Sequence, residues 1–347
     1  MDSNLSSRFK QRSTRGHVRR QKQSLPNWAL ILLGLIALIA LALIIRQTIS
    51  WLSGDDDITN GEPSNRTWLT EGWTLNDISD DNLQVLVDRL AANKIDMVYV
   101  QTGQWRASGE YRENPFAQQF RQQLKEAAPD LKVLDWITVQ EAEYSDTTSQ
   151  ASAVNYARRA IDEWGYDGVH IRGFSVFTGD QNYVRFLRIL GEVIEAPHIL
   201  SVTVPPDLIP TNPDVPRAEG NPSISWQTQY KEQIAILVDE IVVMAHSSSL
   251  QNTEDYRAWV AYQVETYAND IDRIDIDVEI IVAIPTYPES FGHNPAVENV
   301  QAASEGAREG IRQAGDSGNR VVGAGLFVHD EATSLDWDTF QGIWADR

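Results

Sequence analysis

From Thr67 onward, short β-rich apolar runs alternate with stretches whose apolar residues recur every three or four positions. The runs predict strands over 67–72, 96–101, 132–139, 168–174, 200–204, 240–245, 279–284 and 321–328. Several are apolar at nearly every position, as strands buried on both faces should be. The stretches between them predict helices over 82–93, 115–128, 149–164, 182–195, 225–238, 253–269, 295–314 and 335–344. In the first of these, Leu83, Leu86 and Leu90 share one face, and Pro115 opens the second at a position where its missing N–H costs little. Eight strands, each followed by a helix, predict an α/β fold of the (β/α)8 TIM-barrel type over 67–347. An open doubly wound sheet is the competing arrangement, but it calls for a glycine-rich first turn. The first turn here is Trp73-Thr74-Leu75-Asn76, and Gly323 and Gly325 come too late in the chain to serve.

The pattern ahead of the barrel is different. Trp28 to Ile45 is an unbroken apolar run. At ~1.5 Å per residue, a helix of that length comes close to spanning a hydrocarbon core ~30 Å thick. Trp28 and Trp51 flank it, as interfacial aromatics do. Arg8, Lys10, Arg12, Arg15, Arg19, Arg20 and Lys22 precede it against the single acid Asp2. Positive flanks stay inside, so the chain is expected to carry its C-terminal part outward across the membrane. A cleavable signal would have a shorter apolar region and a small-residue cleavage site, whereas Ile44, Ile45 and Arg46 follow here. The expected order is therefore a basic cytoplasmic tail (1–27), a transmembrane signal anchor in contact with the lipid bilayer (28–52), a polar linker (53–66) and an extracytoplasmic barrel.

Composition sharpens this picture. The chain has 49 Asp and Glu against 29 Lys and Arg, a formal net charge of −20. With the basic residues crowded into the tail, the outer part is strongly acidic, which argues against nucleic acid as a partner. Cysteine is absent, so disulfides, thiolate metal sites and cysteine nucleophiles are excluded. No motif calls for a cofactor.

The most informative stretch is Asp167-Gly-Val-His170-Ile-Arg172-Gly-Phe174-Ser-Val. It resembles, in frame, the fourth barrel strand of glycoside hydrolase family 18, the chitinases and their relatives, which reads Asp-x-x-Asp-x-Asp-x-Glu. Asp167 and Gly168 stand in the expected places. His170 and Arg172 replace the second and third Asp, and Phe174 replaces the Glu. The run ending Met244-Ala245-His246-Ser247 is similar to the family's Met-x-Tyr-Asp, with His246 and Ser247 in place of Tyr and Asp. Val282 to Tyr287 resembles the next strand of bacterial relatives. The resemblance implies a sugar-cleaving barrel in which the substrate's acetamido group attacks the anomeric carbon while the Glu protonates the leaving oxygen. Phe174 has no proton to give, and a guanidinium at Arg172 opposes a developing cation. The expected function is thus a membrane-anchored extracytoplasmic barrel, non-catalytic or altered in activity, that binds envelope or extracellular glycan. A glycosidase with relocated carboxylates and a structural or protein-binding surface barrel are the alternatives.

Side chains alternate along a strand, so His170, Arg172 and Phe174 are expected on one interior face. With them, Trp73, Gln101, Trp105, His246 and Tyr287 are the candidate glycan contacts. Glu71 and Glu141 are the foremost candidates for a relocated acid, ahead of Glu143, Glu289, Asp330 and Glu331. His170, His246 and His329 fall on alternate strands, but a hydrogen-bonded core histidine is commoner than a metal ligand, and no metal is expected. Trp136 and Phe327 are expected in the core. The proline-rich loop 205–223 follows the fifth strand and would lie at the catalytic face. An unpaired buried guanidinium is costly, so Arg172 is expected to be held by a carboxylate, with Glu71 across the mouth as the candidate partner, the alternative being an anionic ligand such as an acidic sugar.

Overall fold

The eight apolar runs pair side by side in chain order. In the computed structural model, which describes residues 63–219 and 224–346, they form a closed parallel barrel. Its strands are β1 (Asn65–Leu69), β2 (Ile95–Val100), β5 (Lys132–Val139), β6 (Gly168–Gly173), β7 (Ile199–Val204), β8 (Glu240–Val243), β9 (Glu279–Pro285) and β10 (Val321–Phe327), with β10 returning to β1. The tail, the apolar run 28–52 and most of the linker lie outside the described residues. Among the described residues no helix is long and apolar enough to cross a membrane. The first strand begins at Asn65, so two residues read as linker, Asn65 and Arg66, are buried in the barrel wall.

All eight expected strands are present. A short antiparallel hairpin, β3 (Gly103–Trp105) with β4 (Tyr111–Glu113), interrupts the second strand–helix connection. The expected helices are also found, with ends fixed by local chemistry. Asp180 accepts from the Asn182 and Tyr183 N–H groups to start Gln181–Gly191, and Asn252 and Asn299 do the same for Thr253–Asp272 and Val300–Ala314.

Period-two alternation divides the burial between two layers. Outward-facing strand residues pack with the helices in the larger core, which contains Val98, Ile137, Val169, Val202 and Ile280. Inward-facing residues fill the barrel itself: Trp68, Met97, Tyr99, Leu134, Trp136, Val242, Met244, Ile281, Ala283 and Phe327. Trp136 and Phe327 are therefore interior core, as expected. Gly325 makes room for Trp68, since a Cβ there would come within 2.8 Å of the indole.

The floor of the barrel is ionic. Arg66, 1% exposed, donates from Nε to Glu240 Oε2 at 3.0 Å and reaches Asp96 and Glu279 at 2.6 and 3.2 Å. Burial works against its charge, but Glu240, Tyr99, Asp96 and Glu279 more than offset that and hold its pKa above the usual arginine value. Glu240 Oε1 also accepts from Tyr99 and from Ser201 Oγ at 2.6 Å. Ser201 Oγ lies 2.8 Å from His170 Nδ1, whose Nε2 accepts from Trp68 Nε1 at 3.2 Å. His170 is thus a neutral member of the central column, its pKa lowered by burial and then by Arg172. It lies below the mouth rather than in it.

Candidate functional site: the barrel mouth

At the C-terminal ends of the strands, a cavity of about 380 Å³ opens between the loops after β6, β7, β8 and β9. That is near the low end for small-molecule sites, ~300–1,000 Å³. Arg172 and Phe174 come from the end of β6, and Thr203 with Pro205, Pro206 and Leu208 from β7 and the start of the proline-rich loop. Met244, His246, Ser247 and Ser249 follow β8, and Phe291 and Gly292 follow β9. The proline-rich loop returns to supply Glu219, the one carboxylate among the described lining residues.

Alternation along β6 places Arg172 above His170, as the sequence predicts. Arg172 does not pair with Glu71. Glu71 instead accepts from Gln104 Nε2 at 2.6 Å, because the β3–β4 hairpin brings Gln104 to it. Among the described residues Arg172 has no carboxylate partner. Its guanidinium sits over two rings, 5.0 Å from the Phe327 centroid and 5.6 Å from that of Phe174. Such contacts contribute roughly 0.5–2 kcal/mol and orient the side chain without neutralising it. Burial lowers the Arg172 pKa, opposed only by Tyr287. The expected internal Glu–Arg lock does exist, but at the opposite end of the barrel, as Arg66–Glu240.

His246 stacks on Phe327 with an interplanar angle of 12°. Its Nδ1 lies 2.8 Å from the Tyr287 hydroxyl, which lies 2.8 Å from Ser247 Oγ. Burial holds the imidazole neutral, with its pKa lowered to about 3. If Ser247 donates to Tyr287 and Tyr287 to Nδ1, the remaining proton is on Nε2, which has no partner in the protein. Tyr287, after β9, is not among the residues lining this cavity: it holds His246 and Ser247 through its hydroxyl and lines a separate depression with Pro288 and Glu298.

The loop after β8 is fixed from behind. Glu298 accepts from the Ser247 and Ser248 N–H groups at 2.8 and 2.7 Å, from the Ser248 hydroxyl, and from His293 Nδ1 at 2.6 Å. Burial raises the Glu298 pKa, and the bonds from His293, Ser248 and Ser247 outweigh it, leaving the carboxyl below its usual range. Five described non-glycine residues have positive φ, and three of them, Ser175, Ser247 and Ser249, line this cavity. Backbone held in that region costs roughly 1–3 kcal/mol and clusters at functional sites.

The other candidates lie elsewhere. Trp73 donates to Asp330 and lines a separate depression with Ile78, Asn82, Arg89 and His329. Trp105 donates to the Thr138 carbonyl at 2.7 Å and packs on Tyr111, and Gln101 bonds Leu69 and Thr74 through its backbone. Glu141 is exposed at the start of the short helix Glu141–Ser145, and Glu143 caps that helix. His170, His246 and His329 do not converge, and no group of three metal-ligating side chains occurs among the described residues. Sequence reasoning missed Glu219 and Phe291. Both sit on loops, where no periodicity marks which residues turn inward, although the proline-rich loop itself was placed at this face.

The fold and its mouth define the class: a (β/α)8 barrel with its cavity at the C-terminal face of the strands, where barrel enzymes carry their sites. Comparison with solved structures finds the same fold in chitinases and a spore cortex-lytic enzyme. The chain is similar to the Bacillus cereus spore cortex-lytic enzyme SleL, with a TM-score of 0.55 and 10% identity over 81% of this chain and 74% of that one. It is similar to a class V chitinase of Pseudomonas fluorescens, with a TM-score of 0.55 and 12% identity over 82% of this chain and 100% of that one. A family 18 N-acetylglucosaminidase of Paenibacillus barengoltzii matches with a TM-score of 0.52 and 13% identity, over 81% and 99% of the two chains. At these identities the likeness is one of fold. No protein-family model and no curated protein matches the sequence.

Proposed function

We propose that this chain is a membrane-anchored, extracytoplasmic barrel that binds envelope or extracellular glycan at its mouth and does not cleave it. One observation carries the reading: the described lining offers a single carboxylate, Glu219, while Phe174 stands where the resemblance places the acid. Glycoside hydrolysis by a carboxylate pair requires a second acid near the first. Substrate-assisted cleavage requires a general acid that keeps its proton near neutral pH, which burial ordinarily arranges. Glu219 is exposed. Arg172 further opposes the positive charge that develops at the sugar in either route.

The mouth supports binding all the same. Phe174 and Phe291 are 51% and 102% exposed at the cavity, and their faces suit the apolar faces of sugar rings. The glycan-processing neighbours in fold agree with that choice of ligand. The apolar run 28–45 after a basic tail supports the anchor and the outward orientation of the barrel.

The test is turnover of a chromogenic chitobioside by the wild-type chain and by Glu219→Gln. The expected result is no release above background from either. Release by the wild type that disappears in Glu219→Gln would establish a glycosidase with a relocated acid.

A further inference from the structure

Two cationic or hydrogen-bonding groups of the mouth, Arg172 and His246, lack a protein acceptor among the described residues. Arg172 carries a permanent charge with no carboxylate partner among the described residues, and its only close partners are the two phenylalanine rings. An arginine cannot escape burial by losing its proton. His246, 7% exposed and lining the same cavity, has an Nε2 without a hydrogen-bond partner. With Ser247 donating to Tyr287 and Tyr287 donating to Nδ1, that atom is a donor. Buried donors are almost always satisfied, so the open Nε2 of His246, beside a guanidinium with no carboxylate partner on the same cavity wall, points to a missing acceptor. The barrel floor makes the contrast: there Arg66 has three carboxylates around it. The three serines held at positive φ, and the clamp of Glu298 behind Ser247 and Ser248, fix the wall in place without a ligand. The rest of the lining is largely apolar, with the exposed Phe174 and Phe291 beside the buried Leu208 and the half-buried Ile224.

We infer that the mouth binds a sugar through an anionic substituent, with Arg172 as counter-ion, His246 Nε2 as a second donor, and Phe174 and Phe291 against the ring. The inference rests on the glycan-binding reading above and adds the ligand's charge. A carboxylate on a short arm from the ring, or a phosphate ester, meets the requirement. The planar guanidinium favours the carboxylate, which it can grip with two parallel hydrogen bonds. Recognition is local. The rest of the domain is acidic, but charges more than ~8–10 Å away are screened at physiological salt.

Three probes separate the possibilities when titrated into the full-length chain in detergent: N-acetylglucosamine, N-acetylmuramic acid, which adds only a lactyl carboxylate, and N-acetylglucosamine 6-phosphate. Charge-assisted hydrogen bonds in a site of this kind correspond to ~10–100-fold in affinity. The muramic sugar should bind tighter than the neutral one by that factor. Arg172→Gln should erase the difference, and Arg172→Lys should keep part of it. A preference for the phosphate over the carboxylate would identify a phosphate ester as the anion. Equal affinities for all three in the wild type, lost on Phe174→Ala, would overturn the inference and leave glycan binding standing. Absence of binding to every probe would overturn both. The wild-type comparison decides even if an Arg172 variant fails to fold.

Discussion

Two arginines of the barrel interior, Arg66 and Arg172, have opposite surroundings, and their replacement should separate stability from binding. Arg66→Met strands Glu240, which is 1% exposed, beneath Tyr99 and Ser201. Breaking a buried pair in this way costs ~3–5 kcal/mol, so denaturant unfolding should show a loss of that size. Arg172→Met strands no carboxylate and should leave stability within about 1 kcal/mol of the wild type, or raise it. A large loss at Arg172 and none at Arg66 would reverse the assignment. Asp135 provides a second test at this scale. It points outward from β5, is fully buried, accepts from Thr102, and leaves Oδ2 without a partner. Burial raises its pKa to about 7. In the unfolded chain it ionises near 4, so folding takes up a proton between the two values. This contribution to stability is complete below about pH 4 and is lost as pH rises through 7. Asp135→Asn should therefore gain stability relative to the wild type between pH 5 and pH 8. The check is a pair of urea titrations, and a difference independent of pH would contradict it.

At the scale of elements, the strands were legible in the sequence, because several of them, buried on both faces, leave short apolar runs bounded by polar segments and recurring between amphipathic stretches. Helix ends were legible to within a few residues from caps such as Asp180 and Asn299. The hairpin Gly103–Glu113 was not, since three-residue strands are too short to show a period. That omission explains the misplaced partner of Arg172: the hairpin delivers Gln104 to Glu71, and no strand pattern reveals it. The site was legible only where it lies on strands. Arg172, Phe174, His246 and Tyr287 fall within or just after apolar runs, whereas Glu219, Phe291 and Glu298 are carried by connections. Glu298 ties the loop after β9 to the loop after β8 through Ser247, Ser248 and His293. Glu298→Ala leaves those buried donors unsatisfied, at ~1–3 kcal/mol for each. Amide exchange at Ser247, Ser248 and Ser249 should accelerate at least tenfold while the strand amides Val242 and Ile281 keep their rates. Uniform acceleration would mean that Glu298 supports the whole barrel rather than the mouth.

For the whole molecule, the proposal joins an anchor to a binding head. The anchor rests on the apolar run and on Ile44, Ile45 and Arg46 after it, which give no small-residue cleavage site. N-terminal sequencing of chain extracted from membranes should find the basic tail still attached, and a start beyond Ala42 would refute an uncleaved anchor. On this proposal the head, with an aromatic-rimmed mouth and no acid pair, would hold glycan near the membrane without consuming it. The direct measurement is prolonged incubation of the full-length chain with an N-acetylated oligosaccharide, following binding by calorimetry and the ligand by mass spectrometry. Saturable binding, with the ligand recovered at its original length, is the predicted result. Shortened products that accumulate in proportion to protein concentration, and that vanish in Glu219→Gln, would contradict it.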